Sequence, residues 1–141
     1  MAIPTDMLAS VVELTNSTGF PRRFTCASGV AITKGTVLQL TEPRTASEVS
    51  GPEQPLCGIA AMDKSATDFS TSITAWTDGI FDVVASGAIS KGAPLVSAGA
   101  NDLKIATNAT GAFSSGASII GYALEDAAAN ITEKINVRVK L

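Results

Sequence analysis

The chain has 141 residues, 45% of them apolar but only 5% aromatic, and a net charge of −3 with a pI of about 4.8. That length fits one domain or two very small ones, and suffices to bury a core without staples. The charges are sparse and scattered, which excludes the basic stripe of a nucleic-acid binder, and the lack of any His excludes Ser–His and Cys–His catalysis.

In chain order, residues 1–14 have neither the charged start nor the long apolar core of a signal peptide. No apolar run reaches the ~20 residues of a membrane-spanning helix. Residues 10–14 alternate weakly, and residues 36–40 read as a short strand ending before Glu42-Pro43. Residues 56–62 are an apolar run. Residues 72–76 and 80–85 flank Thr77-Asp78-Gly79, a hairpin-type turn signal. Residues 103–106 form a short strand between polar pairs, and 118–124 a further apolar run. Residues 134–141 alternate cleanly, with Ile135, Val137, Val139 and Leu141 on one face and Lys134, Asn136, Arg138 and Lys140 on the other. One buried and one wet face marks an antiparallel strand. The sole helix candidate is residues 125–130, a single turn. Asn16, Asn108 and Asn130, each in an Asn-x-Ser/Thr triplet, read as polar turn residues. The expectation is an all-β fold: a small antiparallel barrel or sandwich with at most one or two short helical turns.

The chain also repeats itself. ASGVAITKGTVL at residues 27–38 returns as ASGAISKGAPLV at 85–96, and LCGIAAMDKSA at 56–66 as IIGYALEDAAA at 119–129. Gly58 then aligns with Gly121, Ala60 with Ala123 and Asp63 with Asp126. These pairs predict two related half-units, residues 25–84 and 85–141, in one β domain. Residues 1–24 fall outside the repeat and are expected to be an extended N-terminal arm or an edge strand.

The repeated motif is not a phosphate loop. A phosphate loop needs GxxxxGK[ST] opening a helix, whereas here Lys34 precedes Gly35 and strand formers follow. The alternative is a tight turn used twice. Ile32 and Ile89 then point inward, Lys34-Gly35 and Lys91-Gly92 turn the chain, and Leu38 and Leu95 return to the core. Gly29, Gly58, Gly87 and Gly121 join the expected structural turns.

Other chemistry is poorly supplied. Ser90 and Lys91 are neighbours on an extended chain and point apart. The close carboxylates, Glu125-Asp126 and Asp63 with Asp68, lie in polar turn-like sequence, and no DxDxDG calcium loop is present. Cys26 and Cys57 read as small buried apolar residues, and two thiols without His leave a zinc ion short of ligands. Their spacing does not say whether they are bonded. No catalytic residue, cofactor or metal is expected. Trp76, beside the Thr77 turn, is either a partly buried strand residue or an exposed contact.

The order IIGYALEDAAA, then NITEKINVRVKL, preceded by GAISKGAPLVSAGANDLKIAT, resembles the capsid cement (decoration, head-stabilising) proteins of tailed bacteriophages. The resemblance covers residues 25–141. Its motifs are built of small residues, and their order and spacing carry the match. The family's Gly-Glu/Asp turn before each late strand is replaced here by Asp68-Phe69-Ser70 and Asn130-Ile131-Thr132. The resemblance implies a structural virion protein on the outer capsid surface, made in the host cytoplasm. It would cement neighbouring major capsid subunits against internal DNA pressure. The implied partners are the major capsid protein and further copies of the chain, as a homotrimer, with no nucleic acid and no membrane. Ile3, Met7, Leu8, Val11, Phe20, Pro21, Arg22 and Trp76 are the expected shell or subunit contacts. The alternative is another virion or cell-surface β module, such as a fibre, tail or carbohydrate-binding domain.

Overall fold

The computed structural model describes residues 8–13, 21–52, 54–99, 101–106, 119–128 and 133–141. The fold is all-β, with no helix among the described residues. Its strands are β1 (Ser10–Glu13), β2 (Pro21–Thr25), β3 (Val37–Glu42), β4 (Thr45–Glu48), β5 (Leu56–Ala60) and β6 (Ser72–Trp76). They are followed by β7 (Asp78–Ala85), β8 (Pro94–Ser97), β9 (Asp102–Ile105), β10 (Gly121–Ala123) and β11 (Glu133–Lys140).

The strands form two barrels of the same topology. The first closes in the order β2-β4-β3-β5-β6. The second runs β7-β11-β10-β8-β9 and closes through a β7–β9 pairing. Each barrel uses one parallel contact, Thr25 with Thr45 in the first and Val84 with Asp102 and Ala85 with Leu103 in the second. All its other pairings are antiparallel.

Alternation explains the clearest strands. In β11, Ile135, Val137 and Val139 are buried while Lys134, Asn136 and Arg138 stand at the surface. Leu141 continues that pattern in sequence but lies past the strand end and is exposed. β2, β4 and β8 carry little periodic signal: PRRFT is mostly exposed, TASE is polar, and PLVS starts with the Pro that a strand tolerates only at its first residue or edge.

Two local expectations fail for non-local reasons. Thr77-Asp78-Gly79 does not make a hairpin. β6 pairs with β2 and β5, and β7 pairs with β11 along Asp78–Ala85, so the chain crosses at Thr77 from one barrel to the other. Residues 125–128 of the helix candidate are not helical either. Ala127 bridges Ile89, and a backbone group committed to that bridge cannot also bond four residues back.

The first barrel has its own core, with Ile32, Leu38, Ala46, Cys57, Ile73 and Ala75. A second cluster spans the joint, uniting Val37, Val49 and Ile59 of the first barrel with Phe81, Leu95, Ile135 and Val137 of the second. Trp76 packs on it, its ring 5.5 Å from that of Phe81 and tilted by 45°. Polar bonds pin the same joint. The Val37 N–H donates to Asn101 Oδ1 at 2.7 Å, the Gln54 N–H to Ser97 Oγ at 3.2 Å, and the Ser97 hydroxyl to the Gly51 carbonyl at 3.0 Å.

Residues 8–13 strap across both barrels. The Ala9 N–H donates to the Gly35 carbonyl at 3.0 Å in the first barrel, and β1 pairs antiparallel with β7 in the second. Lys134 Nζ fixes the strap by donating to the Leu8 carbonyl at 2.8 Å.

Candidate functional site

The repeated motif occupies the same place in both barrels. Residues Thr33 to Thr36 close a β-turn, with the Thr36 N–H donating to the Thr33 carbonyl at 3.1 Å. Ser90 to Ala93 do the same at 3.1 Å. Gly35 and Gly92 have φ of 92° and 84°, a region closed to most side chains. Each turn docks onto the second half of its own repeat. The Gly35 N–H reaches the Ala60 carbonyl at 2.9 Å, and the Gly92 N–H the Ala123 carbonyl at 2.7 Å. Ile32 and Ile89 are buried; Lys34 and Lys91 are exposed.

The aligned acids complete the turns. The Lys34 N–H donates to Asp63 Oδ1 and the Lys91 N–H to Asp126 Oδ1, both at 2.7 Å. Asp68 accepts from the Ser65 and Ser70 N–H groups at 3.1 and 2.8 Å, and Glu125 Oε1 from the Asn136 N–H at 2.8 Å. The carboxylates that sequence offers as an acid–base pair are thus spent on backbone donors. Sequence aligned Asp63 with Asp126, but only the bond geometry shows why an acid stands there.

The remaining glycines differ in purpose. Gly29 and Gly87 stand at chain bends with positive φ. Gly58 and Gly121, expected in turns, are instead strand residues of β5 and β10, where close backbone neighbours exclude a side chain; Gly58 also has positive φ. Gly121 does not, but a Cβ there would drive into the Arg138 carbonyl, so β10 and β11 can approach only with hydrogen at that position.

Of the expected contacts, Ile3, Met7 and Phe20 lie outside the described residues. Leu8 is half-buried in the strap and Val11 is exposed on β1; Pro21 and Arg22 are exposed on β2. Trp76 is half-buried in the joint, with Lys34 Nζ 5.6 Å from its ring centre. Sequence named Phe69 only within the Asp68-Phe69-Ser70 turn and did not single out Arg44; Phe69 is, at 73%, the most exposed large apolar side chain among the described residues, and Arg44 stands at the β3–β4 turn with φ of 55°. Their exposure depends on loops whose course local pattern does not encode.

Cys26 and Cys57 are free and buried, and burial pushes the Cys57 thiol up to about 12 and also raises Cys26. Burial also raises the Asp102 carboxyl, against the pull of the Asp102 and Gly99 backbone N–H groups. Among the described residues, no cluster of three or more Cys, Asp or Glu side chains is placed to hold a metal ion.

These features can be set beside known proteins. Among solved structures, the chain is similar to one described as the head fiber gp8.5 N base in bacteriophage phi29. The TM-score is 0.53 and the identity 13%, over 86% of this chain and 95% of that one. That likeness is one of fold. No curated protein matches. The phage cement protein family matches residues 16–141, which takes in both barrels and both copies of the turn. The chain therefore belongs to the phage cement protein family and is a structural component of the phage virion.

Proposed function

We propose that the protein sits on the outer surface of the capsid and clamps neighbouring major capsid subunits against the pressure of packaged DNA. The observation that carries this reading is the family match over residues 16–141, on a chain whose aligned Asp63 and Asp126 are bonded to turns and whose thiols are buried. The head-fibre base that shares its fold supports a place on the phage head.

A clamp of this kind asks for little chemistry. Each copy bridges two or more shell subunits, and the fixed spacing of the lattice turns weak contacts into a high effective concentration. The working unit is a homotrimer, and the contacts include the strap and the start of β2: Leu8, Val11, Pro21 and Arg22. The protein needs no cofactor and catalyses no reaction in this role.

The test is binding to expanded shells assembled from the mature major capsid protein. Saturating amounts should raise the shell disruption temperature, and the protein in solution should sediment as a trimer. Mature shells that take up none of it would overturn the reading.

A further inference from the structure

β2 and β7 hold equivalent places in the two barrels, yet one edge of each is treated differently. One edge of β7 is covered by β11, and the other is shared between β1, which takes Ile80 to Asp82, and β9, which takes Val84 and Ala85. One edge of β2 is covered by β6 along Pro21–Thr25. Among the described residues, its other edge is paired only at Thr25. Among the described residues, no strand takes on the first barrel the place that β1 fills on the second.

That edge is concave and charged. A groove of about 340 Å³ lies there, with Phe24, Leu40 and Leu56 in its lining and Arg22, Arg23 and Arg44 around it. These are three of the chain's four arginines, in a protein of net charge −3. In the adjoining hollow beside Arg22, Asp78 forms an ion pair with Arg138. The backbone is also presented to the groove. The Arg23 carbonyl accepts from Arg44 Nη2 at 3.3 Å, and in a strand the N–H of the same residue points the same way.

We infer that this edge docks an extended acidic segment of another protein chain, with apolar side chains between its carboxylates. Such a segment would add a strand beside Arg23, set its carboxylates against the three guanidinium groups, and place an apolar side chain over Phe24 and Leu40. The apolar lining favours a peptide over nucleic acid, whose bases would need exposed aromatic platforms. The inference rests on the clamp reading, for which the segment belongs to the shell subunit.

The experiment uses the full chain and a labelled, end-capped peptide of alternating Glu and Val, with a Lys–Val peptide and an oligo-dT strand as comparators. Wild type should bind the Glu–Val peptide at least roughly tenfold more tightly than R22E/R23E/R44E, given that exposed ion pairs add only modestly each. The binding should weaken with salt, and the Lys–Val peptide should not compete. R22Q/R23Q/R44Q should fall between them and guards against misfolding of the charge-reversed protein. Equal binding by all three proteins, or oligo-dT competing as well as the peptide, would overturn the inference. Shell binding separates the two readings. If wild type and R22E/R23E/R44E coat shells equally, the docking edge fails while the clamp stands. If wild type coats no shells, the clamp itself fails.

Discussion

Asp63 Oδ1 accepts a hydrogen bond from the backbone N–H of Lys34 at 2.7 Å, and Asp126 repeats that bond to Lys91 at the same length. Twenty-nine positions separate the first pair and thirty-five the second, so each acid closes a long loop onto a tight turn. Asp63→Ala and Asp126→Ala should each cost about 1 kcal/mol, the net worth of one such bond, with Asp→Asn losing less. Urea midpoints at constant slope would check this; no change in either variant would show that the acids do not hold the turns.

The glycines separate by what surrounds them. Gly121→Ala must push β10 away from the Arg138 carbonyl, which is backbone and cannot swing aside, and should destabilise by about 3 kcal/mol or more, at or above the top of the usual overpacking range, or prevent folding. Gly51→Ala meets nothing nearer than Gln54 Nε2 at 3.9 Å and should be near neutral. Thermal melts of the two variants make the comparison, and similar melting would contradict the close approach.

The joint between the barrels depends on Asn101, which is fully buried with φ of 66° and supplies the acceptor for the Val37 N–H. Asn101→Ala removes that acceptor and puts a β-carbon in the left-handed region, so a loss of about 2–4 kcal/mol is expected. Asn101→Gly keeps the backbone freedom and should recover part of it. Denaturation of both variants, followed by the fluorescence of Trp76 at the same joint, checks the order.

Cys57 sets a limit at high pH. Its folded thiol ionises near 12, whereas the thiol of the unfolded chain ionises near 9.0. A raised folded value means that its stabilising contribution is whole below about pH 9 and is lost as pH climbs toward 12. Stability should therefore fall over that window, and Cys57→Ala should flatten the fall while lowering stability overall through lost packing. Ellman's reagent at pH 8 should find both thiols slow in the folded protein and rapid in denaturant. Fast native reaction at Cys57 would show that it is not shielded.

Short-range pattern was enough to recognise a β protein built from a duplicated unit. The alternation of Ile135, Val137 and Val139 and the paired Gly58/Gly121 and Asp63/Asp126 are written within short windows or at fixed offsets. Side-chain period and turn chemistry act over those same distances. Which strand pairs with which is not written there. β7 reads as the return strand of a hairpin, yet it opens the second barrel, because eight residues of β11 and the apolar joint around Phe81 outweigh a Thr-Asp-Gly turn. For the same reason Arg22, Arg23 and Arg44 look like scattered charge along the chain. They converge only because the β3–β4 turn comes back beside β2, a contact between residues about twenty positions apart.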